Sequence, residues 1–351
     1  MSFLKLREGY LFLRDIDLDN YVILCTLHTY GDDYDGLDNF NDDQHCDTYT
    51  AVKTFVEWLN RTKLFESFTK NGIKERRDVI SMITCNVVGG LGNQLFQIFT
   101  TISYSIDIKN PFAFSNMRIS SRRDLYWENL LLRLKPFIRS SFPPLVRVSE
   151  KEFSYNQIDE KLLIDKNVCL YGYFQSYRYF ERNFRSIYRL LDIDGYKHDI
   201  IMNTELNLDS VVSMHFRLGD YKSLSEFHPI LTSEYYANAL RHIPDDIKTV
   251  LYFCEEADHS EVMCTINLLM CEFPTYTFIK ASSELVDWQQ LILMSCCRHN
   301  IIANSSFSWW GAYLNSNVNK TVCYPAKWFG PGYNQHNTSD LCPNNWTRVL
   351  D

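Results

Sequence analysis

Four short stretches of the chain carry groups suited to work on a ligand, and each follows an apolar run fit for a strand. The first is Gly89-Gly90-Leu91-Gly92-Asn93-Gln94, after ITCNVV (83–88). Glycines there let a backbone approach a ligand closely, and a following helix presents its positive N-terminus to an anion. Without a ligand, the same residues make a tight strand-to-helix turn. The second, His215-Phe216-Arg217-Leu218-Gly219-Asp220-Tyr221, sets a guanidinium at a strand's carboxyl end, where it can fork onto a diphosphate. His215 can hydrogen-bond a base or a sugar hydroxyl, and Asp220 can orient Arg217 or an acceptor. The alternative is an Arg217–Asp220 ion pair that merely closes a loop. In the third, Phe253-Cys254-Glu255-Glu256, two carboxylates are able to accept from the N1–H and exocyclic amine of guanine, or simply open a solvated loop. The fourth runs from Ala303 to Gly311, ANSSFSWWG. Its hydroxyls and backbone N–H groups suit phosphate oxygens, while Asn304 or Ser305 serves equally as an N-cap. The adjacent Trp309 and Trp310 read as core.

Strands and helices must hold these stretches in place. Candidate strands fall at 168–174, 210–216, 249–254, 275–279, 300–303 and 321–324, and candidate helices at 233–243, 258–271, 284–297 and 306–314. After the glycine turn, Leu95, Phe99 and Ile102 share one helical face. Alternating strands and helices at this spacing imply parallel sheets covered on both faces. The expected fold is α/β, two Rossmann-like domains facing a cleft, with ligands beyond the carboxyl ends of the strands. The boundaries expected are 82–208 for the first domain and 209–351 for the second, behind an N-terminal extension, 1–81, of no assigned role. Within that extension, 30–47 is acidic and rich in Asn and Gly, and 50–68 has helical spacing at Val52, Phe55, Val56, Leu59 and Leu64. The stretch from about 115 to 165, with Pro136, Pro143 and Pro144, reads as less regular.

Composition narrows the partners. A net charge of −8 argues against a general nucleic-acid binder, which needs a basic face. The first twenty residues carry charges among their apolar positions, and no uninterrupted apolar run spans a bilayer. The expectation is a cytoplasmic protein with no integral membrane segment and with its 11 cysteines reduced. No cysteine pair has zinc-finger spacing. Asp15-Ile16-Asp17, Asp17-Leu18-Asp19 and Asp192-Ile193-Asp194 have Asp-x-Asp spacing but lie outside the four stretches, so no metal is expected. A nicotinamide cofactor is disfavoured, because the glycine turn lacks a third glycine and a ribose-binding acid about 20 positions on. Aromatic residues, 15% of the chain, point to a bulky core and more weakly to a stacking surface for bases and sugars.

In sequence order, GGLGNQLFQ, LYGYFQS (170–176), HFRLGDY and LMSCCRHNIIANSSFSWWGAYLN (293–315) stand as they do in the galactoside α-1,2-fucosyltransferase family. The chain resembles that family over about residues 84–330. The resemblance implies a glycosyltransferase-B architecture that transfers L-fucose from GDP-fucose to a glycan acceptor, with inversion at the anomeric carbon. It further implies Arg217 on the diphosphate and His215 on the nucleotide. Glu255 or Glu256 would meet the guanine, and the Asn304–Ser308 segment, with Ser305, Ser306, Phe307 and Ser308, the phosphates. Gly90, Gly92 and Asn93 would line the cleft from the first domain. Asp220, Glu226 and His228 are candidates to take the acceptor's proton, with Asp220 named alongside Arg217 as catalytic. Two departures stand out: the family's HxRRGDY has Leu218 for its second arginine, and its FSDD is FCEE here. They leave open another GDP-sugar as donor, or a carbohydrate-binding protein of the same fold without catalysis.

Overall fold

The computed structural model describes residues 10–17, 20–27, 81–116 and 124–350. The acidic 30–47 stretch and the expected helix over 50–68 lie outside them. Near the start, β1 (Tyr10–Asp17) and β2 (Asn20–Leu27) form an antiparallel hairpin, Tyr10 opposite Leu27 and Asp17 opposite Asn20. The sequence reading passed over this pair because Arg14, Asp15 and Asp17 interrupt the apolar pattern.

The first sheet contains β3 (Ile83–Cys85), β6 (Val146–Ser149) and β7 (Val168–Tyr171), all parallel, in the order β3-β7-β6. A parallel bridge from Ile83 to Phe112 brings in the short parallel pair of β4 (Phe114–Ser115) and β5 (Ile138–Arg139) on the other side of β3. Helix α1 (Leu91–Ile108) follows β3, with Leu95, Phe99 and Ile102 all buried as their spacing requires. Strands β5 and β6 fall in the stretch read as irregular. Each is short, and β6 is an exposed edge without an apolar run to announce it.

Two helices, α2 (Phe184–Leu190) and α3 (Ile193–Met202), lead into a six-stranded parallel sheet. Its strands are β8 (Val211–His215), β9 (Thr249–Phe253), β10 (Thr277–Lys280), β11 (His299–Ile301), β12 (Val322–Pro325) and β13 (Thr347–Val349). Their spatial order is β10-β9-β8-β11-β12-β13. The chain starts in the middle, winds outward to one edge, returns, and winds to the other edge. That is the doubly wound order in which helices cover both faces. Helices α4 (Ser233–Leu240) and α5 (His259–Glu272) cover one face; α6 (Asp287–Cys296) and α7 (Ser306–Tyr313) cover the other. Along β9, Val250 and Tyr252 enter the core under α4 and α5, while Leu251 and Phe253 enter the core under α6 and α7. A strand's side chains alternate between faces, so a strand buried on both reads as one apolar run. This is why β8, β9, β11 and β12 are legible in the sequence to within a residue or two, while three-residue β13 was not among the expected strands.

The core under α7 extends into the first sheet's layer. Trp309 and Trp310, both fully buried, pack against Phe96 and Phe99 of α1, with ring centroids 4.5 Å apart for Phe96–Trp309 and for Phe99–Trp310. Phe180 stacks on Trp310 at 5.2 Å, and Phe184 meets Tyr313 edge-on at 4.8 Å. Truncating one such ring to alanine costs about 3–5 kcal/mol. The twin tryptophans are core, and they join the two sheets.

Candidate active site

In a doubly wound sheet, the crevice opens where strand order reverses, because neighbouring connections leave in opposite directions. In the second sheet this point lies between β8 and β11, whose carboxyl ends carry His215–Tyr221 and Asn304–Ser308. In the first sheet it lies between β3 and β7, followed by Gly89–Asn93 and Gly172–Gln175. The four motif stretches singled out by the resemblance therefore occupy the two switch points, and hydrogen bonds stitch those points together. Asn93 Oδ1 accepts from Gln175 Nε2 and from Ser306 Oγ, each at 2.8 Å. Tyr221 Oη donates to the Asn304 carbonyl at 3.0 Å.

The glycines divide by role. Gly89 has φ +86°, in the left-handed region that favours glycine. Around Gly90 nothing lies within 4 Å of an added Cβ, so its backbone faces open space. Gly92 is buried, and a Cβ there would sit 2.4 Å from the Ser306 carbonyl carbon and 2.7 Å from Phe307 N. Its missing side chain serves the packing of α1 on α7, where the sequence reading had it lining the cleft. At this contact the N-termini of α1 and α7 converge, and neither helix has an acidic residue in its first turn. Each N-terminus carries about half a positive charge, so the pair is prepared for an anion.

The hydroxyl-rich stretch also divides. Ser305 is the N-cap of α7, its Oγ accepting from Phe307 N. Ser306 Oγ donates to Asn93, and buried Ser308 Oγ donates to the Ser305 carbonyl at 3.4 Å. Buried Asn304 donates from Nδ2 to the carbonyls of Pro229 (2.9 Å) and Trp328 (3.2 Å). These side chains hold the turn in place, so an incoming anion would meet backbone N–H groups. Phe307 is half-buried, its ring 5.5 Å from that of His215.

Arg217 is the cation at the crevice. Its guanidinium donates to Asp220 Oδ1 at 2.5 Å and to Glu255 Oε1, and it lies 5.3 Å from the centre of the Tyr221 ring. The Arg217–Asp220 pair weighed from the sequence is thus present, but Arg217 stays one-fifth exposed toward the crevice. Glu256 points elsewhere and pairs with Lys280. Lys222 pairs with Asp258 at 2.8 Å and with Glu261. Leu218, where the family has its second arginine, packs on the core under α4 and α5.

His215 is buried, and its Nδ1 has no hydrogen-bond partner among the described residues. Burial, and then the charge of Arg217, press its pKa from 6.5 down to about 3, so the ring is neutral near pH 7. His228 stacks on Tyr221 with centroids 4.6 Å apart, and burial lowers its pKa. Glu226 is exposed. One residue of this region escaped the sequence reading. Glu150, just past β6, accepts from Tyr173 N (2.8 Å) and Phe174 N (2.9 Å), and burial raises its pKa from 4.5 to about 7. It thereby fixes the turn from which Gln175 reaches Asn93. The one available signal was Gly172, where a Cβ would come within 2.4 Å of Glu150 Cβ.

Among the described residues, no group of three His, Cys, Asp or Glu side chains is placed to hold a metal ion. Asp192 and Asp194 are engaged by Arg133 and Tyr188. None of the described helices is long and apolar enough to cross a membrane.

Residues 51–347 match Glycosyl transferase family 11, and the chain belongs to that family. The match extends past the motif-bearing stretch at both ends and begins within the segment read as an extension. An α-1,2-colitosyltransferase of Escherichia coli is 27% identical over 301 residues, covering 77% of this chain and 99% of the relative. The Escherichia coli O-antigen biosynthesis glycosyltransferase WbnK is also 27% identical, over 318 residues, covering 76% of this chain and all of WbnK. Among solved structures, a mutant of Arabidopsis thaliana FUT1 in complex with GDP aligns with a TM-score of 0.41 at 11% identity, covering 79% of each chain.

Proposed function

We propose that the protein transfers L-fucose from GDP-fucose to a glycan hydroxyl, O2 of a galactoside, with inversion. The observation that carries this reading is Arg217 at the switch point of the second sheet, beside two converging helix N-termini. One full and two half positive charges there offset the Asp220 and Glu255 carboxylates that hold the guanidinium, and a nucleoside diphosphate would meet the guanidinium's remaining donors and the helix N–H groups. In the reaction the acceptor oxygen bonds to the anomeric carbon as the bond to the diphosphate oxygen breaks. The electron pair leaves with GDP, and the acceptor proton passes to a base. Charge therefore builds on the departing diphosphate, where fixed donors lower the barrier most. Neutral His215 offers its unpaired Nδ1 to the nucleotide. Glu255 and Glu256 are both ion-paired, with Arg217 and with Lys280, so either carboxylate would meet guanine by giving up part of that pairing. Asp220 and His228 both border Arg217 and Tyr221, and Asp220 is our choice of base. No step here calls for a divalent cation, so turnover should survive EDTA; full loss restored by Mn²⁺ would overturn that point.

A second donor has one observation in its favour, the name of the colitosyltransferase relative. Colitose lacks only the 3-hydroxyl of fucose, so the same diphosphate site would serve. The deciding experiment is GDP release from GDP-fucose, GDP-colitose and GDP-mannose, with and without β-galactosides. Acceptor-stimulated release from GDP-fucose supports the proposal, and release from GDP-colitose alone changes the sugar and keeps the mechanism. Absence of release from every donor would refute it in favour of a binding protein.

A further inference from the structure

A continuous run of rings leads away from Arg217. His228, stacked on Tyr221, stands 5.7 Å from both Phe329 and Tyr333. Tyr333 stacks on His336 at 4.8 Å, and His336 stacks on Phe153 at 5.0 Å, with ring planes 8° apart in both pairs. Phe153 belongs to the first sheet's half, so the run crosses the mouth of the cleft. Directly beside it, past the carboxyl ends of β12 and β13, lies a hollow of about 350 Å³. This is the small end of the usual range for ligand sites, about 300–1,000 Å³, and suits one or two sugar rings.

The lining of the hollow is chemically mixed in a particular way. Phe329, Tyr333 and His336 supply ring surface, Asn334 an amide, and Lys327 and Arg348 two positive charges. Among the described residues, no carboxylate lies within ion-pair distance of either cation. Arg348 Nη2 donates to the Ala326 carbonyl at 3.3 Å, which ties its guanidinium to the hollow's edge. Lys327 and Arg348 thus place two cations on the lining of one hollow in a chain of net charge −8. Ring faces bind the apolar face of a sugar, amides bind its hydroxyls, and a guanidinium with an ammonium binds a carboxylate.

We propose that this hollow is an acceptor subsite that binds a carboxylate-bearing sugar, such as a uronic or sialic acid, next to the residue receiving the transferred sugar. The proposal rests on the transferase reading and adds the acceptor's class to it. The ring run explains the placement: a glycan whose reacting hydroxyl sits near Arg217 lies along it, and its next residue reaches the hollow.

The test titrates the full chain with glucuronate, N-acetylneuraminate and galactose, followed by ligand-observed NMR. Wild type is compared with Lys327→Gln, Arg348→Gln and the double variant. Both side chains are exposed, so circular dichroism should be unchanged, and GDP affinity by calorimetry serves as an internal control. Acidic sugars should bind about tenfold tighter than galactose in the wild type, and the double variant should erase that preference with GDP binding intact. Equal binding of acidic and neutral sugars, or a preference that persists in the double variant, overturns the subsite. Acidic-sugar binding in a protein that binds no GDP or GDP-sugar keeps the hollow but overturns its role for an acceptor. GDP binding without any acidic preference keeps the transferase and removes the subsite.

Discussion

Arg217→Ala removes the guanidinium that Asp220 and Glu255 hold at the crevice, and its consequences follow from those neighbours. Losing one fixed donor to a developing anion costs about 2.7–4 kcal/mol, or about 10²–10³ in rate. Asp220 and Glu255 would also lose their shared cation. Taking a separation of about 6 Å from a bound diphosphate and a dielectric between protein surface and water, each would add about 1 kcal/mol of repulsion. Together these terms put the loss in kcat/KM near 10⁴. The repulsive part is testable on its own: adding Glu255→Gln to Arg217→Ala should restore about fivefold, the equivalent of about 1 kcal/mol. The assay is GDP release at saturating and at limiting donor, with circular dichroism to confirm folding. An Arg217→Ala enzyme within tenfold of wild type would refute the leaving-group role. A further loss in the double variant would show that Glu255 works on the nucleotide and not on Arg217.

Three other outcomes are expected. Gly92→Ala forces a methyl into the backbone of Ser306 and Phe307 and should destabilise by about 1–3 kcal/mol, whereas Gly90→Ala, facing open space, should melt like wild type; equal melting temperatures for the two would contradict the packing described. Glu150→Gln presents one amide N–H₂ to a backbone N–H, so we expect about 1–3 kcal/mol of lost stability and a raised donor KM as the Gln175–Asn93–Ser306 chain loosens; an unchanged KM would separate Glu150 from the site. His215 has a folded pKa of about 3 against 6.5, so the unfolded chain binds more protons between those values. Its contribution to stability is full above pH 6.5 and lost as pH falls toward 3, and denaturant midpoints of His215→Gln should show a shallower fall across that window than wild type.

How much of this was legible in the sequence depends on which physical signal each part leaves. Strands β8, β9, β11 and β12 are buried on both faces and leave unbroken apolar runs, so the middle of the second sheet could be read, whereas edge strand β13, three residues long, left no run to read. Strands β4, β5 and β6 have two to four residues each and little pattern, and they became visible only through pairing. Residue types marked Arg217 and the α7 turn as strand-end features, and the strand order then put them at a switch point. What types did not disclose was direction. Gly92, Asn304, Ser305 and Ser308 look like ligand-binding residues, yet their side chains or lack of one serve packing and capping, because a tight turn wants the same small and polar residues as an anion site. Glu150 and the Lys327–Arg348 pair lie far from the motifs in sequence, and only folding brings them near.

The tryptophan pair has a thermodynamic consequence. Chains with two sheets often unfold in stages, because each half keeps a complete interior of its own. Here Trp309 and Trp310 belong to the second half by sequence, where Trp309 also meets Trp346 and Leu341, while Phe96, Phe99 and Phe180 of the first half close around them. Neither half retains a full interior once the other is lost, so calorimetry should record a single cooperative transition. A ligand bound at the crevice then stabilises both halves at once, in proportion to its affinity and concentration.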